Sequence, residues 1–160
     1  ELALVQEIGR RHLHHDRVAD RSGGIDRLVS NRRLYDDVQP WADATDPLLR
    51  QEMASIESGY RIGRLLVLRE TLGQTPRQFS AATKTFCTEL EQRIAAFCGR
   101  VLGPWALLAE SGHGGGMPVL ARRVSRNLCY APAYTIMGGT SQILRNILGE
   151  RTLGLPREPR

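Results

Sequence analysis

The residues best suited to chemistry lie near the end of the chain, where two glycines precede a hydroxyl and an amide. Gly138 and Gly139 permit a tight bend, Thr140 can cap the helix that follows, and Gln142 lies in the first turn of that helix. Free N–H groups at a helix start attract anions, so this stretch could hold a phosphate group. The alternative is an ordinary helix cap after a tight turn.

The charge of the chain offers a second candidate for anion binding. The sequence has 22 basic and 17 acidic residues, a formal net charge of +5, and Lys84 is its one lysine. The cluster Arg122, Arg123 and Arg126 could contact phosphates of a cofactor or of nucleic acid. A solvated helix face would explain the positions of these arginines equally well, and GC-rich coding would explain their number. A nucleic-acid-binding domain is therefore a remote alternative, and we expect neither nucleic acid nor a membrane as a partner.

Metal and disulfide chemistry are not favoured by the pattern of histidines and cysteines. The histidine cluster consists of His12, His14 and His15, and no further ligand accompanies it, so we interpret these as surface residues and expect no metal site. The three cysteines are Cys87, Cys98 and Cys129, without a CxxC pair. Cys87 and Cys98 lie eleven residues apart on one helix face, which predicts two buried thiols that pack as small hydrophobic groups.

Size and composition predict one globular domain over residues 1–160. Apolar residues make up 41% and charged residues 24% of the 160 residues, as in ordinary globular chains. No apolar run approaches the roughly 20 residues that cross a bilayer. We therefore expect a soluble, cytoplasmic protein.

Two long helices are predicted from apolar residues that recur in steps of three and four. The first spans Pro47 to Leu72, with Asp46 as its N-cap and Gly73 just beyond its end. Its apolar stripe comprises Leu49, Met53, Ile56, Tyr60, Gly63 and Val67. The second spans about Pro76 to Leu102, capped by Thr75 and stopped by Gly103-Pro104. A connection as short as Gly73 to Thr75 requires the two helices to be antiparallel.

The other segments are less regular. Helices are predicted at residues 2–18, 25–34 and from Pro118 to near Pro132, and a last helix from Thr140 to near Gly154. In the arginine-rich helix Leu120, Val124 and Leu128 face one way. Residues 35–45 and the glycine-rich stretch 112–116 are predicted to be loops. We find no alternating strand pattern, so the predicted fold is all-α: an up-and-down four-helix bundle with an additional short C-terminal helix.

The final segment carries a resemblance to a known family. Residues 134–151, YTIMGGTSQILRNILGER, followed by Leu-Gly-Leu-Pro at 153–156, closely resemble the C-terminal signature of the acyl-CoA dehydrogenases. Three further features agree in order and spacing: Arg33-Leu34-Tyr35-Asp36-Asp37, Ala81-Ala82-Thr83-Lys84 and Leu102-Gly103-Pro104. The resemblance covers most of the chain and implies the C-terminal helical bundle of a larger subunit.

The resemblance implies an activity for the whole enzyme. Acyl-CoA dehydrogenases remove two hydrogens from the α and β carbons of an acyl-CoA thioester, with FAD as hydride acceptor and a glutamate as base. By this resemblance Gly139, Thr140 and Gln142 would contact FAD, in a site shared with domains that this chain does not match. The bundle would also contribute a wall of the acyl pocket and an interface in a homo- or hetero-oligomer.

One position departs from the family pattern. In many members the catalytic glutamate immediately precedes the Gly-Thr that corresponds to Gly139-Thr140, and Gly138 occupies that position here. A glycine cannot abstract a proton. The base could come from Glu1, from Glu7 or from upstream sequence. The alternative is a subunit without a base that pairs with an active partner in a mixed oligomer.

Overall fold

The computed structural model describes residues 32–107 and 117–157, in which every regular element is helical. The elements are α1 (residues 32–38), α2 (Pro47–Thr71), α3 (Ser80–Leu102), α4 (Met117–Tyr134) and α5 (Ser141–Ile147), with 3₁₀ turns at Gln39–Trp41 and Gly103–Leu107 and a π-helical turn at Leu148–Thr152. The all-α prediction is confirmed for these ranges. Among the described helices, none has an apolar stretch long enough to cross a bilayer. The predicted helix 2–18, most of helix 25–34 and the loop 112–116 lie outside the described residues.

The ends of α2 follow from its sequence. The Asp46 carboxylate accepts hydrogen bonds from the backbone N–H groups of Leu48 (2.8 Å) and Leu49 (3.4 Å), and Pro47 occupies the first helical position. Gly73, just beyond the end, has a φ of +67°, which glycine adopts with little strain. The predicted cap, proline and terminal glycine are all confirmed.

Helix α3 lies antiparallel to both α2 and α4. Between α2 and α3, Glu52 pairs with Arg100 and Ser55 accepts a hydrogen bond from Arg93 (2.7 Å). The contacting residue numbers rise along α2 as they fall along α3, so these two helices are antiparallel. Gly59 sits where a Cβ would lie only 2.7 Å from Leu90 Cδ1, which shows how closely these two helices pack. Further contacts join α3 to α4: Gly99 faces Leu128, and Gln92 donates a hydrogen bond to Thr135 (3.0 Å).

The core forms where α1 crosses α2 and α3. Tyr35 is fully buried, with its ring centroid 5.6 Å from that of Phe97 and 6.0 Å from that of Tyr60. Val38 is also fully buried. The prediction of a loop over residues 35–45 is therefore wrong at its start, because α1 continues to Val38 before the 3₁₀ turn. Burial of these two apolar side chains outweighs the turn-forming aspartates and Pro40 nearby.

The predicted start of α3 is also wrong. The helix begins at Ser80 rather than Pro76, its N-cap is Phe79 instead of Thr75, and no side chain caps it. Gln78 has a φ of +68°, a left-handed conformation that cannot belong to a right-handed helix. The connection from α2 therefore extends over residues 72–79. At the other end, the predicted stop at Gly103 is confirmed.

Helix α4 extends two residues beyond Pro132, to Tyr134. Leu120 and Val124 are buried and Leu128 is half-buried, which confirms the predicted apolar face. The predicted end near Pro132 is close, because a proline in the last turn removes one backbone donor while the helix still closes. The last predicted helix is shorter than expected: α5 ends at Ile147, and the π-helical turn continues to Thr152.

Candidate functional site

The bend between α4 and α5 has a backbone that requires its glycines. Gly138 has a φ of +64° and Gly139 a φ of +100°, conformations that side-chain-bearing residues rarely adopt. Thr140 Oγ1 accepts a hydrogen bond from the Ile143 N–H (3.2 Å), which confirms Thr140 as the cap of α5. The bend closes through a hydrogen bond from the Ser141 N–H to the Thr135 carbonyl (2.9 Å).

Lys84, in the second turn of α3, fastens this bend. Its ammonium group donates hydrogen bonds to the carbonyls of Met137 and Gly139, the latter at 2.7 Å. These two carbonyls belong to the peptides before Gly138 and after Gly139, so one charged donor fixes the peptide planes on both sides of the glycine pair. The contact joins two of the family-like segments across 55 positions of sequence.

No pattern in the sequence assigned this role to Lys84. The residue entered only as part of the Ala-Ala-Thr-Lys resemblance. One signal pointed to it: a single lysine in a chain of arginines indicates a position where a compact ammonium is needed rather than a planar guanidinium.

A cleft of about 260 Å³ opens beside the bend. Its lining comes from the start of α3, the bend, α5 and the π-helical turn, and comprises Gln78, Ser80, Ala81, Lys84, Gly138, Leu144, Ile147 and Arg151. Two of these residues are cationic and none is acidic. Arg151 is exposed and forms no ion pair with the part of the chain that the structure describes. The cleft therefore suits an anionic group.

The residues predicted to bind a cofactor lie close together in sequence but differ in exposure and in hydrogen bonding. Gly139 is half-buried, with its carbonyl bound by Lys84. The Thr140 hydroxyl is engaged as a cap acceptor and retains its own proton for donation. Gln142 is exposed on the first turn of α5 and does not line the cleft. None of these three residues lines the cleft, whereas Gly138, the position where the family's base is missing, does.

The space around Gly138 bears on that missing base. A Cβ at this position would lie 3.6 Å from Lys84 Nζ and 3.8 Å from Lys84 Cε, which is ordinary van der Waals contact. A side chain therefore fits sterically and would point toward the cleft, while the positive φ would strain it. Glu1 and Glu7, the other base candidates, lie outside the described residues.

Among the remaining sequence candidates, one arginine of the cluster on α4 makes an ion pair within the described residues. Arg123 pairs with Asp37 (2.5 Å), which ties α4 to α1, and Arg122 and Arg126 are exposed. The histidine cluster lies outside the described residues. Within the described ranges no three or more metal-ligand side chains gather.

The two α3 thiols are buried, as predicted. Burial raises the pKa of Cys87 and of Cys98 to about 12, because a thiolate is poorly solvated in the core. Cys129, on α4, is exposed.

Comparison with known proteins agrees with this arrangement. The family model "Acyl-CoA dehydrogenase, C-terminal domain" matches residues 40–153. Among curated proteins, acyl-CoA dehydrogenase IpdE1 of Mycolicibacterium smegmatis is 30% identical over 115 residues, and acyl-CoA dehydrogenase FadE26 of Mycobacterium tuberculosis is 34% identical over 113 residues. These matches cover 72% and 71% of this chain, and 27% and 25% of the relatives.

Solved structures share the fold. A chain of the ChsE4-ChsE5 complex from Mycobacterium tuberculosis superposes with a TM-score of 0.68 at 23% identity, over 82% of this chain and 37% of that one. A chain of Tcur3481-Tcur3483 steroid ACAD gives a TM-score of 0.67 at 23% identity, over 84% of this chain and 38% of that one.

The chain belongs to the acyl-CoA dehydrogenase family and corresponds to its C-terminal domain. It spans about a quarter of the length of the curated relatives it matches.

Proposed function

We propose that this chain is the C-terminal helical domain of an FAD-dependent acyl-CoA dehydrogenase that introduces an α,β double bond into an acyl-CoA thioester. The observation that carries the proposal is that Lys84 holds the Gly138-Gly139 bend through two hydrogen bonds. These bonds connect two of the segments that resemble the family. FAD, when bound, supplies the hydride acceptor for the β hydrogen. The residues of this chain named below are proposed to bind and orient the cofactor.

The charge of the cleft beside the bend suits an anionic part of the cofactor. Lys84 and Arg151 line it without an opposing carboxylate, and arginine forms paired contacts with phosphate oxygens. At about 260 Å³ the cleft is smaller than the roughly 300–1,000 Å³ of pockets that enclose a whole drug-sized ligand. The proposal is therefore a site that holds one portion of FAD, with the rest held by other domains or subunits.

We assign the cofactor contacts to Gly139, Thr140 and Gln142 by resemblance. Gly139 allows close backbone approach, the Thr140 hydroxyl can donate its proton to an acceptor, and the exposed Gln142 amide can reach a ligand outside the cleft. Lys84 positions this edge without itself being assigned to the reacting atoms.

A second candidate function is favoured by Gly138. A subunit with no proton acceptor at this position would complete a partner's active site rather than run the reaction itself. Chains of two-component assemblies, ChsE4-ChsE5 and Tcur3481-Tcur3483, share the fold, which supports a hetero-oligomer. In either case another group must accept the α proton. The candidates are Glu1, Glu7, a residue in sequence beyond this chain, and a residue of the partner.

We further propose that residues 1–160 form one domain of a larger cytoplasmic subunit, built as an up-and-down four-helix bundle with a short C-terminal helix. The antiparallel pairs α2–α3 and α3–α4 support this arrangement, and α5 with its π-helical turn supports the short final helix. By itself this domain is expected to be colourless and inactive.

The test uses acyl-CoA oxidation with an artificial electron acceptor. The chain alone is expected to give no turnover, and co-expression with the neighbouring reading frames is expected to give flavin-dependent activity with linear, branched or steroid acyl-CoA. Thr140→Ala and Gln142→Ala should lower the flavin content of the assembled enzyme. Turnover by the chain alone, or flavin content unchanged in both variants, would contradict the proposal.

The replacement Gly138→Glu separates the two candidates. In an assembled enzyme whose base is missing, the new carboxylate should raise turnover. If the base lies elsewhere, the substitution should leave turnover unchanged or lower it through backbone strain at φ +64°.

A further inference from the structure

One end of the cleft beside the bend is built by two backbone segments with unusual conformations. Gln78, in the connection before α3, has a φ of +68° and is the one non-glycine residue with a positive φ in the described part of the chain. Arg151 lies in the π-helical turn at Leu148–Thr152. The side chains of both residues line the cleft. We call this pair the Gln-Arg clamp.

A hydrogen bond joins the two segments that carry the Gln-Arg clamp. The Thr152 hydroxyl donates to the Arg77 carbonyl (3.3 Å). Thr152 follows Arg151 and Arg77 precedes Gln78, so this bond holds the two clamp residues at the same end of the cleft. The bond is made within this chain, so it does not depend on what surrounds the cleft in a larger subunit.

The backbone conformation of Gln78 indicates a role for its side chain. A left-handed conformation strains a residue that carries a side chain, whereas glycine adopts it at little cost. The chain nevertheless has a glutamine here, and that glutamine lines the cleft. Strained residues and π-helical turns both occur frequently at ligand sites. A ligand of the Gln78 carboxamide would account for the strain.

The charge and the donors around the Gln-Arg clamp favour a ligand with many oxygens. Glu150, beside Arg151 in sequence, pairs with Arg157 instead (3.1 Å), and no acidic residue of the described part lines the cleft. The Arg151 guanidinium, the Gln78 carboxamide and the hydroxyl of cleft-lining Ser80 are three separate donor groups. A diphosphate has enough oxygens to accept from all three groups, whereas a carboxylate has only two oxygens.

We propose that the Gln-Arg clamp binds the diphosphate group of a nucleotide, and that Gln78 sets the preference for phosphate over carboxylate. Arg151 attracts either anion, and Gln78 adds a donor that the larger anion reaches. FAD and coenzyme A both contain such a diphosphate. The inference rests on the proposed function only for the source of the diphosphate, since binding by the chain itself does not require a complete active site.

The test is calorimetric titration of the chain with inorganic pyrophosphate, and with malonate as the carboxylate for comparison. Pyrophosphate should bind at least about tenfold more tightly than malonate. Arg151→Gln should weaken pyrophosphate binding by about tenfold or more, because hydrogen bonds between charged groups are strong. Gln78→Gly should weaken pyrophosphate binding by about threefold to tenfold and malonate binding by less than about twofold.

Three variants serve as controls. Arg77→Gln removes the same charge from a neighbouring arginine that does not line the cleft, so pyrophosphate affinity should stay within about twofold. Gln74→Gly, at an exposed glutamine of the same connection, should also leave affinity unchanged. Gln78→Asn keeps a carboxamide and tolerates the left-handed conformation, so it should retain part of the affinity.

Thermal unfolding separates binding from folding. Gln78→Gly should not lower the midpoint of unfolding, because glycine relieves the strain at φ +68°. Weaker binding together with an unchanged or higher midpoint is the result expected of a ligand-binding side chain. A purely structural glutamine would not give that combination.

Two measurements on the assembled enzyme separate the sources of the diphosphate. A lower flavin content in Gln78→Gly would assign the Gln-Arg clamp to FAD. A higher KM for acyl-CoA, with an unchanged KM for the acyl-pantetheine thioester that lacks the diphosphate, would assign it to coenzyme A. If neither quantity changes, the clamp does not bind a nucleotide and the proposal is wrong.

Three results with the chain alone would also overturn the proposal. They are equal affinity for pyrophosphate and malonate, unchanged pyrophosphate affinity in Gln78→Gly, and an equal loss of affinity in Arg77→Gln and Arg151→Gln. Flavin-dependent oxidation of acyl-CoA by the assembled enzyme would still support the proposed function in each of these cases, so the two failures are distinguishable.

Discussion

The two halves of α3 are both buried, but by different chemistry. The half from Leu90 to Leu102 is mainly apolar, with Ile94 and Phe97 fully buried, although it also buries the carboxylate of Glu91. The half from Ser80 to Thr88 buries threonines instead, and within the described residues the hydroxyls of Thr83 and Thr85 have no hydrogen-bond partner. The apolar half holds the bundle together, whereas the threonine-rich half carries Lys84 and the cleft.

This difference between the two halves of α3 indicates which half contributes less to the stability of the fold. An unpartnered buried hydroxyl costs about 1–3 kcal/mol, so we expect the end of α3 beside the cleft to be the less stable end. Sites that violate local packing rules are often functional. The mutations below test whether stability and site geometry are divided between the two halves.

The largest effect is expected in the apolar half. Phe97→Ala should lower the free energy of unfolding by about 3–5 kcal/mol, because it opens a cavity between α1 and α3. Denaturant titration followed by circular dichroism measures it. Phe86→Ala, in the threonine-rich half and only half-buried, is the matched control and should cost clearly less. Equal losses would remove the distinction between the halves.

The next effect concerns the bend. Lys84→Met removes a charged donor from two carbonyls, and such hydrogen bonds contribute about 1.5–3 kcal/mol each. Amide hydrogen exchange at Met137 and Ser141, whose N–H groups bond to Ala133 and Thr135, should accelerate by roughly tenfold or more. Lys84→Arg keeps the charge and should retain part of the protection. Unchanged exchange in Lys84→Met would show that the bend holds without the lysine.

The two buried thiols report local opening in each half. Cys87 lies in the threonine-rich half and Cys98 in the apolar half, and both are buried. Alkylation followed by peptide mapping should label exposed Cys129 first, then Cys87, and Cys98 about tenfold more slowly than Cys87, a difference of about 1.4 kcal/mol in opening. Equal rates for Cys87 and Cys98 would mean that α3 opens as one unit.

The smallest effect should be a gain. Thr85→Val replaces an unpartnered buried hydroxyl with a methyl group of similar shape, so we expect stability to rise by up to about 1 kcal/mol. Thr88→Val is the control, because the Thr88 hydroxyl donates to the Lys84 carbonyl (2.9 Å) and its loss should destabilise slightly. A loss in Thr85→Val would indicate that its hydroxyl is needed.

Much of the fold could be predicted from local chemistry. Asp46, Pro47 and Gly73 delimit α2, and Thr140 caps α5, because caps depend on neighbours in sequence. The errors have tertiary causes. Tyr35 and Val38 are helical because the core buries them, and the left-handed Gln78 shifts the start of α3 to Ser80.

The candidate site divides in the same way. The sequence by itself determined the double-glycine bend, the family resemblance and the absence of a carboxylate at Gly138, since these are properties of residue type and order. Only the tertiary structure decided that Lys84 fastens the bend, that Arg151 shares its cleft and that Gln142 does not line it. Those facts depend on how antiparallel helices bring distant residues together, and a linear pattern does not encode that register.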